Sequence, residues 1–287
     1  MATCPTCLKA YPDDVSECPD DKSTLFPDHM VAAAGSEDLA PGTEVGEYRI
    51  ETKIGSGGYG DVYSAEHPLI GKRAAIKVLH RKFSTELQIV SRFISEARAV
   101  NRIRHRNIID VFSFGQLSDD RQYLIMELLR GESLRERLKK RGALSFGEAF
   151  PILKGVAAAL DAAHEEGIAH RDLKPDNVFV AVERDGTLIA KLLDFGVAKL
   201  TGDEDVKHKT ATGAAIGTPL YMSPEQCRGK NVDHRADLYS FGVLIFEVLT
   251  GQVPFDAEAA IDVLFKHMTE TPPTMSSVAP SLPALLD

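Results

Sequence analysis

The residues of this chain best suited to chemistry are a run of glycines, a lysine in an apolar strand and two separated acidic clusters. Gly55, Gly57 and Gly60 lie in Gly55-Ser56-Gly57-Gly58-Tyr59-Gly60-Asp61-Val62, where the missing Cβ lets backbone N–H groups approach phosphate oxygens. Alone, such a run reads as a hairpin turn, and G-x-G-x-x-G also occurs in dinucleotide-binding folds. Here the glycines join two strands and no helix starts at Gly60, so a helix N-terminus is not the anion-binding device. Lys77 sits in Arg73-Ala74-Ala75-Ile76-Lys77-Val78-Leu79, where an isolated ammonium is costly and needs anionic partners. Glu96 follows, then His170-Arg171-Asp172-Leu173-Lys174-Pro175-Asp176-Asn177, Asp194-Phe195-Gly196 and Ser223-Pro224-Glu225. Carboxylate and carboxamide oxygens suit a hard divalent cation that bridges phosphates. Taken in this order, the motifs divide phosphoryl transfer from ATP into its parts.

The six motifs resemble the signature set of the protein kinases over roughly residues 46 to 287, and more narrowly the bacterial eukaryotic-like (Hanks-type) serine/threonine kinases. The resemblance implies ATP with magnesium, or manganese, as cofactors. It implies that Gly55, Gly57 and Gly60 cover the phosphates and that Lys77 pairs with the α- and β-phosphates and with Glu96. Glu86 is a rival for that role, but Phe93, Ile94, Ala97 and Val100 put Glu96 on or beside an apolar helix face. Val62 and Ala75 would roof the adenine pocket and Phe179 would floor it. Met126 takes the gatekeeper position, and the backbones of Glu127 and Leu129 reach the adenine edge. Asp172 would accept the proton of the substrate hydroxyl, while Asn177 and Asp194 hold the metal. Lys174 matches the serine/threonine-specific pattern, with Thr218 shaping the acceptor site. Ser223 stands where the family motif has alanine.

The elements that must position these groups read as α+β, and the resemblance implies a bilobal kinase fold with a strand-rich first lobe (about 46–128) and a helical second lobe (about 129–287). Alternation gives strands at Tyr48–Ile50, Asp61–Ala65 and Ala74–Val78, and further strands at Ile108–Gly115, Tyr123–Leu128 and Leu188–Leu193. Helices are expected over Ser84–Arg102, Phe150–Glu166 and Ala236–Thr250. Ahead of this body lie a head, residues 1–23, and a linker, residues 24–45, without apolar period and expected to be flexible. The head carries Cys4-x2-Cys7-x10-Cys18-x2-Asp21, the spacing of two zinc knuckles. Asp21 is the candidate fourth ligand of a zinc ion, with Asp20 and His29 as rivals, and the pattern resembles the zinc ribbons that open some bacterial kinases. Hydrophobic residues make up 44% and charged residues 26% of the 287, as in a soluble globular protein. A formal net charge of -9 argues against nucleic acid as a general partner. No signal peptide or membrane-length apolar segment is seen, so a cytoplasmic chain is expected.

The loop between Asp194 and Glu225 contains Thr201, Thr210, Thr212 and Thr218. By resemblance, Thr210 and Thr212 are sites of autophosphorylation in trans by another copy, and Arg171 pairs with a phosphorylated loop threonine. Protein substrates with Ser or Thr acceptors are the other partners implied. The alternative is a nucleotide-binding pseudokinase or scaffold, which would require loss of Lys77, Asp172, Asn177 or Asp194, and all four are present. Family members continue past Leu282–Asp287 with more helices and an arginine that pairs with the glutamate equivalent to Glu225. The last arginine here is Arg235, so a chain truncated at its C-terminus is expected, with Glu225 an unpaired buried carboxylate. An inactive fragment, and an intact protein tethered to a membrane through the missing part, stay open.

Overall fold

The computed structural model describes residues 2–3, 10–12, 15, 18–19, 26–27, 38–195, 219–229 and 232–287. The chain divides into two compact units, residues 1–85 with 115–123 and residues 86–114 with 124–287.

In the first unit, strands Tyr48–Ser56, Gly60–Glu66 and Arg73–Leu79 form an antiparallel meander. Its apolar face is built from Tyr63, Ala65, Ala74, Ile76 and Val78, all buried, because alternate residues of a strand share a face. Gly60 pairs with Leu79, and a Cβ on Gly60 would lie 2.2 Å from the Val78 carbonyl oxygen. Only glycine fits that approach. Residues 38–45, assigned to the flexible linker from the sequence, are instead fastened to the meander. Glu44–Val45 pairs antiparallel with Tyr48–Arg49, the Gly42 N–H donates to the Ile50 carbonyl at 2.8 Å, and the Ile50 N–H donates to Thr43 at 2.9 Å. Gly42 makes this possible by adopting a φ of 90°. Ala2–Thr3 pairs antiparallel with both Ala10–Tyr11 and Phe26–Pro27, so part of the linker span is strand as well.

The second unit is mainly helical. Its core holds Ile152, Val156, Ala159, Leu160 and Ala163 of the Phe146–Glu165 helix together with Leu244, Val248 and Leu249 of the Arg235–Thr250 helix. Strands Gly131–Ser133, Val178–Val182 and Leu188–Leu192 make a small antiparallel sheet in that order. Asn107 ties the chain to it, donating from Nδ2 to the Ala190 carbonyl and accepting from the Leu192 N–H, each at 2.7 Å. Strands Val111–Gln116 and Gln122–Glu127 are each divided between the units.

Two helix starts differ from expectation. The helix expected from Ser84 is two, Arg81–Ser84 and Leu87–Ile103, separated where Glu86 is extended at φ −88° and ψ 97°. The helix expected from Phe150 begins at Phe146, because Ser145 and Glu148 form a capping box in which Glu148 accepts the Ser145 hydroxyl at 2.7 Å. Among the described residues no helix is long and apolar enough to cross a membrane.

Candidate active site

The glycine-rich hairpin belongs to the first unit, between Tyr48–Ser56 and Gly60–Glu66. A Cβ on Gly55 would meet nothing closer than Val62 Cβ at 3.8 Å, one on Gly57 nothing closer than the Gly60 carbonyl oxygen at 3.5 Å, and one on Gly58 nothing within 4 Å. None of these three has a positive φ. Packing within the hairpin therefore demands glycine only at position 60, and among the described residues none crowds a Cβ at 55, 57 or 58. Register pairs Val62 with Lys77 and Ser64 with Ala75, which puts Val62, Ala75 and Lys77 on one face of the meander. Ala75 is buried, and Val62 and Lys77 are half-buried.

The acidic groups belong to the second unit. The Pro175–Asn177 turn aims the buried Asn177 back at Asp172, and Asn177 Nδ2 donates to the Asp172 carbonyl at 2.8 Å and to its Oδ2 at 3.2 Å. Lys174 Nζ donates to the same Oδ2 at 3.0 Å. With its amide nitrogen so used, Asn177 can offer its Oδ1 to a cation. The Leu193 N–H donates to the Asn177 carbonyl at 2.9 Å, so Asp194 follows directly on a residue bonded to that turn. Asp194 is exposed, while Phe195 is fully buried with its ring 4.8 Å from that of His170. The two rings, two residues before Asp172 and one after Asp194 in sequence, thus meet in the core.

What holds this loop was not visible in the motifs. Asp237, in the first turn of the Arg235–Thr250 helix, is fully buried and accepts from the N–H groups of His170 at 2.8 Å and Arg171 at 2.6 Å. His164 Nε2 lies 2.8 Å from the same carboxylate. Arg171 has a φ of 63°, uncommon for a residue with a side chain. Its carbonyl accepts from Gln226 Nε2 at 2.9 Å, and its guanidinium donates to the Val232 carbonyl at 3.2 Å. Burial lowers the pKa of that guanidinium, with Asp237 opposing. The only sequence hint of Asp237 is a lone acid opening an apolar helix.

Of the residues expected at the adenine, Phe179 is half-buried and pairs with Ser133 and Lys191 in the small sheet. The Glu127 carboxylate accepts from the Asp110 N–H at 2.9 Å and is ion-paired with Lys191, and the Glu127 N–H donates to Asp110 at 3.0 Å. Its carbonyl is then the group it can offer a ligand. Met126 and Leu129 pack against the core of the unit. Glu96 is half-buried on the Leu87–Ile103 helix beside buried Phe93, Ala97 and Val100, whereas Glu86 is exposed and precedes the helix. Glu225 is half-buried, not buried, and no ion pair reaches it among the described residues. Cys18 is buried, its sulfur 3.5 Å from the Tyr11 hydroxyl. Cys4, Cys7, Asp21 and the rivals Asp20 and His29, with Gly196, Thr201, Thr210, Thr212 and Thr218, lie outside the described residues. Among the described residues no group of three or more His, Cys, Asp and Glu side chains is gathered as a metal site.

Residues 48–286 match the protein kinase domain family. The chain belongs to the protein kinase family. It is 41% identical over 286 residues to the serine/threonine-protein kinase Pkn1 of Myxococcus xanthus, covering 100% of this chain and 39% of that protein. It is 38% identical over 241 residues to the probable serine/threonine-protein kinase PknB of Lactococcus lactis, covering 84% of this chain and 37% of that one. The chain thus spans about two fifths of the length of these curated relatives. The crystal structure of the Mycobacterium tuberculosis PknI kinase domain matches with a TM-score of 0.65 at 27% identity, covering 85% of this chain and 87% of that one. Bilobal kinase architecture follows from the family and from this likeness.

Proposed function

We propose that this kinase domain transfers the γ-phosphate of ATP to serine and threonine hydroxyls of proteins. The observation that carries the reading is the loop in which Asp172, Lys174 and Asn177 are bonded to one another while the Leu193 N–H fixes Asp194 behind them. In this reading Asp172 takes the hydroxyl proton, and Lys174 beside it neutralises charge on the incoming phosphoryl group. The oxygens of Asn177 and Asp194 are the hard donors that magnesium or manganese prefers, and the metal, when bound, would neutralise phosphate charge. Gly55, Gly57 and Gly60 let the hairpin backbone approach the phosphates without a Cβ in the way, while the Gly57 N–H, which donates to the Gly60 carbonyl at 2.9 Å, closes the turn. Lys77 and Glu96 are assigned to phosphate binding, and Val62, Ala75, Phe179, Glu127 and Leu129 to the adenine. The open space at Gly55 and Gly57 supports this assignment, since among the described residues none crowds a Cβ there.

The finer readings belong to the same proposal. Thr210 and Thr212 are phosphorylated in trans by another copy, with Arg171 as the phosphate's partner, in a cytoplasmic protein. Residues 1–23 form a zinc-ribbon-like head with Cys4, Cys7, Cys18 and Asp21 as ligands. Support for the head is a strand pair, Ala2–Thr3 with Ala10–Tyr11, that brackets Cys4 and Cys7 in sequence, and a buried Cys18. The kinase reading is tested by transfer of labelled γ-phosphate from magnesium ATP onto the chain and a basic protein substrate, compared with Asp172→Asn. Label on threonine that vanishes in the variant supports it, while equal labelling by the variant overturns it. Mapping the label tests Thr210 and Thr212, and metal analysis of the chain against Cys18→Ser tests the head.

A further inference from the structure

The glycine-rich hairpin is held from behind by a buried carboxylate, Asp61, to which the motif assigns no role. Asp61 is 5% exposed and pairs in register with Ser56 across the hairpin, on the face opposite to Val62 and Lys77. Its Oδ1 accepts from Ser56 Oγ at 2.6 Å and from Lys53 Nζ at 3.0 Å, and its Oδ2 lies 3.3 Å from His80 Nε2. The His80 N–H in turn donates to the Tyr59 carbonyl, at the tip of the hairpin, at 2.9 Å. One side chain therefore joins both arms of the hairpin to His80, the residue that follows the Lys77 strand. A fixed negative charge beside a phosphate site is unfavourable unless it is neutralised, and Lys53 supplies that neutralisation. Burial raises the pKa of Asp61, but Ser56, Lys53 and His80 outweigh it and keep the carboxylate ionised.

Lys53 has a second partner. Its Nζ donates to Asp38 Oδ1 at 2.7 Å, and the Leu39 N–H donates to the hydroxyl of the buried Tyr63 at 3.1 Å. These bonds continue the strap of residues 38–45 that pairs along Tyr48–Ser56. The segment ahead of the kinase domain is thus linked to the glycine-rich hairpin through Asp38, Lys53 and Asp61, all within the first unit.

We infer that Asp61 is the positioning residue of the phosphate-binding hairpin and that the strap, through Asp38 and Lys53, sets how firmly the hairpin is held and so how tightly the domain binds ATP. The inference rests on the reading of this hairpin as the ATP phosphate loop. A loop fixed before binding has less disorder to lose on binding. Losing a charge-assisted hydrogen bond of this kind is expected to weaken nucleotide binding about tenfold.

The experiment titrates the full chain with a fluorescent ATP analogue and with magnesium ATP, and measures KM for a peptide substrate and the melting temperature alongside. Asp61→Asn should raise the nucleotide Kd about tenfold and Lys53→Met at least as much, with peptide KM unchanged. Asp38→Asn removes only the exposed arm and should cost about two- to threefold. In a Lys53→Met background, Asp38→Asn should add nothing, because Asn keeps the Oδ1 that accepts from the Tyr63 hydroxyl at 3.4 Å and the lost charge acts through Lys53. Ser56→Ala, at an exposed residue, gives the same readout without placing an amide in the core if Asp61→Asn folds poorly. A merely structural role would lower the melting temperature and leave the nucleotide Kd untouched, and that result overturns the inference. An Asp38→Asn effect that persists without Lys53 overturns the strap. If the unaltered chain fails to bind ATP at all, the proposed function itself fails, an outcome distinct from the others.

Discussion

Asp237 is expected to matter as much to the reacting half of the site as the residues of the motifs themselves. Its buried carboxylate accepts two backbone donors, the N–H groups of His170 at 2.8 Å and Arg171 at 2.6 Å, and lies 2.8 Å from His164 Nε2. A hydrogen bond to a charged group contributes about 1.5–3 kcal/mol, and a buried donor stripped of its acceptor costs about 1–3 kcal/mol. Arg171 also sits at a φ of 63°, a conformation that costs a residue with a side chain about 1–3 kcal/mol and persists only where its surroundings impose it. Asp237→Ala removes the acceptor from both N–H groups, so the unfolding free energy should fall by about 3–5 kcal/mol, as when a buried charged pair is broken. Asp237→Asn is the sharper test. Its carboxamide oxygen can serve one N–H, but its NH2 then faces the other donor, and about 2–3 kcal/mol should be lost. Asp172 follows Arg171 directly, so relaxation of that backbone moves the proposed base. A displacement of about 1 Å lowers a rate roughly 100-fold. Urea unfolding gives the stability, and kcat at saturating ATP gives the displacement. An Asp237→Asn protein with unchanged urea midpoint and unchanged kcat would refute the reasoning.

Arg135 donates to Glu247 at 2.7 Å, to the Tyr221 hydroxyl at 2.7 Å and to Asp176 at 3.2 Å. Arg135→Ala leaves the buried Glu247 without its cation and should cost about 3–5 kcal/mol in urea unfolding, whereas Asp176→Asn, at the exposed end, should cost no more than about 1 kcal/mol. Gly60→Ala should fail to fold normally, because its Cβ would lie 2.2 Å from the Val78 carbonyl oxygen, while Gly57→Ala should keep its melting temperature and lose ATP affinity in a binding titration. At alkaline pH, burial pushes Tyr239 up to about 12, helped by the charges of Cys227 and Glu225, and raises Tyr221 further still. Both fold with the neutral form favoured, so their contribution is whole below about pH 10, the unfolded value, and is lost as pH rises through the folded values. Tyr239→Phe should therefore flatten the fall in urea midpoint above pH 10. On the acid side burial lowers the pKa of His267, so its contribution is present above about pH 6.5 and is lost as pH falls through the folded value. His267→Gln should flatten the acid limb of the same measurement.

The motifs were legible because each packs its chemistry into a few consecutive residues. The resemblance put Asp172 and Asn177 in one loop without anticipating that their side chains bond to each other, and the alternation around Lys77 foretold the strand that carries it. Period and apolar content also gave the long helices to within a few residues. The helix start at Phe146 was missed because its signal is two polar residues, Ser145 and Glu148, that bond to each other. The strap was read as linker because residues 38–45 have no apolar period. What holds them is a set of backbone bonds and the side chains of Lys53 and Tyr63. Asp237, Gln226 and Arg135 escaped for one shared reason: each acts on a partner more than 40 residues away, and a single sequence carries no record of such pairs.

The contrast between Glu225 and Glu247 shows where that blindness matters energetically. By resemblance, the cost of an unpaired buried carboxylate falls on Glu225. In the folded chain Glu225 stays half-exposed, where water solvates it and an ion pair would contribute little. The buried carboxylate of this region is Glu247, 8% exposed, and it has both a cation and a hydroxyl donor, since Tyr221 donates to it and Arg135 donates to both. Burial lowers the pKa of Arg135, but Tyr221 and Glu247 outweigh that effect and raise it overall. The third arm of that guanidinium reaches Asp176, in the turn that presents Asn177. A group needed to neutralise a core carboxylate thus also bears on the loop that carries the proposed chemistry. Arg135→Lys separates the two duties: a lysine can neutralise Glu247 but cannot match the planar fork that meets three partners. Its stability should fall less than that of Arg135→Ala, while its kcat should still drop.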